Sequence, residues 1–378
     1  MRIARIEASA VRLPRDLNRT TGMAGSPTAL RAGTSQYRWS ESYPCLYSTG
    51  FETALVRVIL DDGSEGWGEA QAPVAPEVAC TIVEHILTAA LENAEFEPTR
   101  DGIERLWRLM YSAMRVRGQT GGFMLDAIAG VDLALWDVAG KLQRKPVHAL
   151  IGNGSAPVTA YLSGLPGGSA AGALAYSDRG FDHLKIYLSA SVDDALKTID
   201  SLASRFSVAL DALWRLEPDE AVGLARELTA RHAWFLECPF YPELIEAHAR
   251  LRAASRVSVA LGESYRTTFE LAPFFERNLL DIVQPDLGRT GITGALAIAA
   301  EARARGVTVI PHVSIAMGPQ IAAAIHFAAA ARCPYLEFNP AVLETANQWL
   351  ETPLSMANAH WCLPEEPGLG VTLKATIR

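Results

Sequence analysis

The stretch SVALDALWRLEPDEAVGLARELTARHAWFLE, residues 207–237, decides the fold. It opens on an apolar run at 207–213, passes through a helical pattern at 219–231 and closes on a second apolar run at 234–237. Strand, helix and strand at this spacing make one parallel crossover unit. The same rhythm extends both ways, with apolar runs at 158–162, 183–188, 257–263, 281–286, 308–312 and 335–339, and further helical patterns such as 291–305 between them. Eight strands alternating with helices at roughly 22 to 28 residues predict a parallel α/β sheet, and that number suggests a closed barrel, for which about 250 residues is typical. An open doubly wound sheet is the rival. No glycine fingerprint for a dinucleotide follows a strand here, which weakens it.

The chain before this region has another texture. The segment ALVRVIL, 54–60, meets the turn Asp61-Asp62-Gly63 and then GWGE, 66–69, which predicts a hairpin. Helical periodicity follows at 78–91 and again at 103–110, so this part reads as α+β. Residues 16–50 are polar and rich in Gly, Ser and Thr, the composition of either a functional lid or a disordered loop.

At 378 residues and 49% hydrophobic, the chain has room for two domains and a large core. A formal net charge of -8, with no Lys/Arg cluster, gives no footprint for nucleic acid. No apolar run approaches the roughly 18 residues that span a bilayer. The opening MRIARIEASAVRLP lacks the apolar core of a secretory signal. Cys45, Cys80, Cys238, Cys333 and Cys362 are widely spaced and odd in number, which fits a reduced cytoplasmic enzyme.

Catalytic groups of a barrel collect where its strands end. The third, fourth and fifth runs carry Asp211, Glu237 and Glu263, each 26 residues after the last. Any one of them alone reads as a cap on the following helix. Three at one repeat would converge at the barrel mouth, and such a cluster stays ionised only around a cation. Oxygen donors of this kind suit Mg2+. The sixth run ends at Asp286 and the seventh at His312, again 26 apart, a carboxylate that can orient a histidine base. In HLKIYL, 183–188, alternation puts Lys185 and Tyr187 on one face. Beside an ammonium and a cation, the Tyr187 phenol is expected to fall toward the phenolate and take part in proton transfer. The alternative is that Tyr187 packs in the interior while Lys185 pairs with an acid. On the eighth run, Glu337 and Asn339 share a face, and Glu337, if protonated, could hydrogen-bond an anionic intermediate.

Together these residues resemble the mandelate racemase and muconate-lactonising branch of the enolase superfamily. The likeness rests on GWGEA (66–70), AIAGVDLALWDVAGKLQRKPVHALIG (127–152), the ladder Asp211/Glu237/Glu263, the pair Asp286/His312 and PGLG (367–370). It implies an α+β capping domain over 1–150, to which 341–378 return, and a modified (β/α)7β TIM-like barrel over 151–340. It also implies one Mg2+, a small-molecule carboxylate substrate, a homo-oligomer, and proton abstraction α to the carboxylate with an enediolate on the metal. The polar stretch near 16–50 then resembles part of a specificity lid.

Three positions depart from the family pattern. Lys185-Ile186-Tyr187 stands where Lys-x-Lys is usual, Asp211-Ala212-Leu213 where Asp-x-Asn is frequent, and Glu237-Cys238-Pro239 in place of Glu-Glu-Pro. Loss of the second lysine points away from a two-base racemase and toward the acid-sugar dehydratases, with His312 and Tyr187 as base and acid in either order. A cycloisomerase or epimerase of an acid sugar or its lactone is the alternative reaction, and a non-catalytic metal-binding scaffold the alternative class.

Overall fold

Asp62 Oδ1 accepts from the Ser64 amide at 2.9 Å and Gly63 takes a φ of 84°, which closes the turn expected at 61–63. It joins β4 (Phe51–Leu60) to β5 (Glu65–Ala70), and β1 (Ile3–Leu13) pairs antiparallel along the other side of β4. The computed structural model describes residues 1–14, 35–40, 45–152, 154, 156–165, 170–188 and 191–377. Most of the expected lid, 16–34 and 41–44, lies outside the described residues. The remainder contributes β2 (Tyr37–Trp39) and β3 (Leu46–Ser48), which pair with each other.

The helix Gly122–Gln143 packs across this sheet and is buried continuously from Met124 to Gly140. Apart from Asp126, Asp132 and Asp137, each of which has its own donors, this span is apolar on every side because it is covered on every side, by the sheet below and the barrel above. Close approach requires glycine: a Cβ on Gly68 would lie 2.0 Å from the Gly130 carbonyl oxygen. On the other side Trp136 Nε1 donates to Thr293 Oγ1 at 3.1 Å, and the Thr293 amide donates to Asp132 at 2.9 Å. Thr293 belongs to the helix Leu287–Ala304, which bends at Gly291, φ 63°, where a side chain would strike Asp132. The chain end returns to the same layer, with the Leu369 amide on Asp137 at 2.8 Å and the Gly368 carbonyl accepting from Val147 at 2.9 Å.

The second part is a run of parallel strands: β6 (Val158–Leu162), β7 (His183–Tyr187), β8 (Ser207–Asp211), β9 (Phe235–Glu237), β10 (Ser258–Leu261), β11 (Ile282–Val283) and β12 (Thr308–Val309), each bonded to the next. The eighth, β13 (Leu336–Phe338), pairs back onto β6, which brings the sheet round into a barrel. Among the described residues seven helices connect the eight strands, so the fold is a modified (β/α)7β barrel under an α+β cap. An open doubly wound sheet is thereby excluded. A short antiparallel pair, β14 (Met356–Ala357) and β15 (His360–Trp361), joins the N-terminal end of β6 through Val158 and Thr159.

Two strands are shorter than their apolar runs. Residues 281–286 and 308–312 yield only two strand residues each, because Pro285 and Pro311 have no N–H to offer the ladder. An isolated parallel bridge between Asp286 and His312 resumes the pairing beyond them. Residues 207–213 stop as a strand at Asp211, since Leu213 and Trp214 turn into left-handed φ of 56° and 54°. Among the described residues, no helix is long and apolar enough to cross a membrane.

Candidate active site

The barrel interior explains which side chains reach the mouth. Tyr161, Ala209, Phe235, Ala260, Ile282 and Ile310 fill the barrel as one buried cluster. Side chains alternate along a strand, so the residue two positions later stands on the same face, one layer nearer the C-terminal end. Those residues are Ser163, Asp211, Glu237, Gln284 and His312, with Asp286 one step beyond Gln284. Ala260 is the exception. Gly262 follows it at φ 147°, so close to Gln284 that a Cβ would lie 2.4 Å from its amide nitrogen, and the acid comes at Glu263.

These groups line or underlie a cavity of about 270 Å3, bordered by Lys185, Tyr187, Asp211, Glu263, Arg289, His312 and Glu337. Cys45 to Ser48 and Gln71, Pro73 and Val74 of the cap close its other side. Four of the five expected acid–base residues, Lys185, Tyr187, His312 and Glu337, border this cavity, while Asp286 is buried behind His312 and Glu237 is buried beside Lys185.

Lys185 is sealed in, 1% exposed, with Nζ 2.7 Å from Glu237 and 3.1 Å from Glu337. Burial opposes its charge, but Glu237 and Glu337 outweigh that and hold the ammonium well above its ordinary range. Tyr187 bonds Ser163 Oγ at 2.9 Å. Burial raises its hydroxyl above the usual phenol value despite Lys185, so the expected shift toward phenolate is reversed and Tyr187 is held protonated. Glu337 is the opposite correction. Burial would raise it, but Lys185 and His312 lower it more, and the Val313 amide donates to it at 3.2 Å. It is a carboxylate rather than the acid that would donate to an anionic intermediate.

His312 is held at both nitrogens: Nδ1 lies 2.9 Å from Asp286 Oδ2 and Nε2 lies 2.9 Å from Glu263 Oε2. Burial disfavours the cation, but Glu263 and Glu337 more than offset it, so the ring is held as an imidazolium. Asp286 is fixed in turn by Ser314 Oγ at 2.7 Å, Gln320 Nε2 at 2.8 Å and the Gly288 amide at 2.9 Å. Asn339 caps the helix Pro340–Asn347 through the amides of Ala341 and Val342.

The three acids expected to hold a cation are arranged unequally. Asp211, Glu237 and Cys238 each present a ligand atom within 4.8 Å of the others, all buried. Glu263 lines the same cavity but is paired with His312. Burial and the charge of Glu237 push Asp211 well up, and burial raises Glu237 despite Lys185. The donor set fits a hard divalent ion: buried carboxylate oxygens whose mutual repulsion the nearby cations leave uncompensated.

Sequence reasoning passed over Ser163, Gln284, Ser314 and Gln320. Gln284, which donates to Glu237 at 2.7 Å, was legible as the residue two before Asp286 on the same face. Gln320 carries no local signal, since it meets Asp286 only through the tertiary fold.

Comparison with known proteins places this mouth in context. Residues 169–377 match the model of the enolase C-terminal domain-like family, and residues 47–152 that of the mandelate racemase / muconate lactonizing enzyme N-terminal domain. D-galactarolactone cycloisomerase of Agrobacterium fabrum is 30% identical over 342 residues, covering 84% of this chain and 88% of that protein. Arabinonate dehydratase of Saccharolobus solfataricus is 28% identical, covering 85% and 88%. A crystal structure of an enolase-superfamily member from Agrobacterium tumefaciens superposes with a TM-score of 0.92 at 29% identity, over 100% of this chain and 97% of that one.

Proposed function

This chain belongs to the mandelate racemase / muconate lactonizing enzyme branch of the enolase superfamily, and from that premise we propose that it is a Mg2+-dependent dehydratase of an acid sugar. The observation that carries the reading is the asymmetry of the mouth. Lys185 is tied between two carboxylates and Tyr187 keeps its proton, and among the described residues His312 is the group best placed to serve as the base. A single base facing a protonated hydroxyl suits elimination, whereas racemisation needs a base on each face of the substrate.

A Mg2+ at Asp211, Glu237 and Glu263 would supply Lewis acidity toward the substrate carboxylate, which acidifies its α-hydrogen. With Glu263 among the residues that would hold the cation, Nε2 of His312 would be released from its pairing with Glu263. His312 is then a neutral base, oriented through Nδ1–H by Asp286. It takes the α-proton through Nε2. The Lys185 ammonium, held by Glu237 and Glu337, borders the same cavity and would stabilise negative charge that develops on the substrate carboxylate. Tyr187 donates a hydrogen bond or proton as the β-hydroxyl leaves, and tautomerisation yields a 2-keto-3-deoxy acid.

Metal-loaded protein assayed against mono- and diacid sugars should form a 2-keto acid from at least one of them. No dehydration product across such a library would count against the reading. The 30% identity to a cycloisomerase favours a second reaction on the same residues, ring opening of an acid-sugar lactone. Incubation in deuterium oxide separates the two: the dehydratase forms a keto acid with loss of water, and the cycloisomerase forms an isomer of unchanged mass apart from exchanged hydrogen.

A further inference from the structure

We propose that Cys238 Sγ is a fourth protein ligand of the divalent-cation site, and that this sulfur shifts the site's preference from Mg2+ toward the borderline ions Co2+ and Zn2+. The inference rests on the function proposed above for its cation site and goes beyond it in donor set and ion.

Strand alternation by itself would turn Cys238 away from the face that Glu237 presents. The backbone does something else. Cys238 adopts a left-handed φ of 44°, and its sulfur comes within 4.8 Å of ligand oxygens on both Asp211 and Glu237. The side chain is 1% exposed, and among the described residues the thiol makes no hydrogen bond to any partner. The charges around it are Glu263, Asp211 and Glu237, in that order of influence, and the Lys185 ammonium, which acts in the opposite sense. Donors bonded to one ion at about 2.3 and 2.1 Å stand at most about 4.4 Å apart, so a group spread over as much as 4.8 Å has only to close by a few tenths of an ångström on binding. Cys238 also belongs to the buried hydrophobic core, but packing alone gives no reason for its sulfur to border Asp211 and Glu237.

Sulfur is a soft donor and Mg2+ is a hard ion. Adding a thiolate to the three carboxylates favours Co2+ and Zn2+ over Mg2+, which prefers oxygen donors. On coordination the thiol proton leaves to solvent and the metal–sulfur bond replaces the S–H bond.

The test is titration of the chelator-stripped full chain with Co2+, read by absorbance. Thiolate coordination predicts a sulfur-to-cobalt charge-transfer band in the near ultraviolet at one equivalent. Cys238→Ser and Cys238→Ala should lose the band and lower the ratio of Zn2+ to Mg2+ affinity by on the order of tenfold, the scale of one altered ligand contact. Cys45→Ser, a thiol on the rim of the same cavity, should keep the band. Circular dichroism confirms that each variant is folded, and two replacements at Cys238 guard against one of them failing. A wild-type chain that binds Mg2+ and Co2+ without the band, or a band surviving in Cys238→Ala, overturns the sulfur ligand and leaves the dehydratase reading standing. A chain that binds no divalent ion overturns both.

Discussion

Two sets of buried acids lie in this molecule, and they are treated differently. Under the cap, each acid has fixed donors: Asp126 takes Arg266 at 2.9 and 3.1 Å, and Asp137 takes the amides of Trp67 and Leu369, both at 2.8 Å. Glu69 receives the amides of Met317, Gly318 and Gln320 at 2.6, 3.2 and 3.2 Å, which caps the helix Pro319–Ala330. At the barrel mouth, Asp211 has one amide, from Leu213 at 2.9 Å, and faces Glu237 and Glu263. Acids that hold the fold are matched by donors within the chain. Those at the mouth are in excess, which marks them for a ligand.

The sharpest way to break that contrast is to remove one acid from each set. Asp211→Asn should reduce turnover by at least about 1,000-fold, comparable to losing a principal electrostatic group. It should leave the melting temperature of the metal-free protein unchanged or higher, because a repulsive charge is gone. A lower melting temperature would move Asp211 into the structural set. His312→Asn should cost about 100- to 10,000-fold in kcat, the range of a general base, with no exchange of the α-proton in deuterium oxide. Exchange at the wild-type rate in that variant would remove His312 from the mechanism.

Under the cap the loss falls on stability. Asp126→Ala strands the largely buried Arg266 and should cost about 3 to 5 kcal/mol in denaturant unfolding, with the pKa-dependent activity profile unchanged in shape. Gly68→Ala forces β5 off the helix Gly122–Gln143 and should cost about 1 to 3 kcal/mol.

The smallest effect is on pH. Burial lowers His248 to about 4 and His326 to about 3. Their stabilisation is present in full above the ordinary histidine value of about 6.5 and is lost as pH falls below it, since the unfolded chain binds the proton first. Each contributes a slope of at most about 1.4 kcal/mol per pH unit. His248→Gln should flatten the melting-temperature profile between about pH 6.5 and 4, and an unchanged slope would mean that ring is not the titrating group.

Much of this was legible in the sequence, for one physical reason: strands repeat with period two. Once Ala209 and Phe235 fill the interior, Asp211 and Glu237 must follow them to the mouth, and the same step carries Ile310 to His312. What was not legible depends on backbone turns and long-range partners. Gly262 breaks the step and sets Glu263 apart, so its pairing with His312 could not be read from the 26-residue repeat. The direction in which Tyr187 shifts in the chain by itself, and the ionisation of Glu337 that the sequence left open, depend on burial and neighbouring charges, which are tertiary quantities. Cys238 escaped notice as a donor because alternation, the rule that found the others, puts it on the wrong face.

The most direct measurement is anomalous diffraction from a crystal soaked in Mn2+, a stand-in for Mg2+ with a usable signal. One peak should appear among the Asp211, Glu237 and Glu263 carboxylates, with Glu263 drawn off His312 Nε2. A soaked crystal with no peak there, and with Glu263 still bonded to His312, would contradict the assignment of the mouth as a cation-assisted active site.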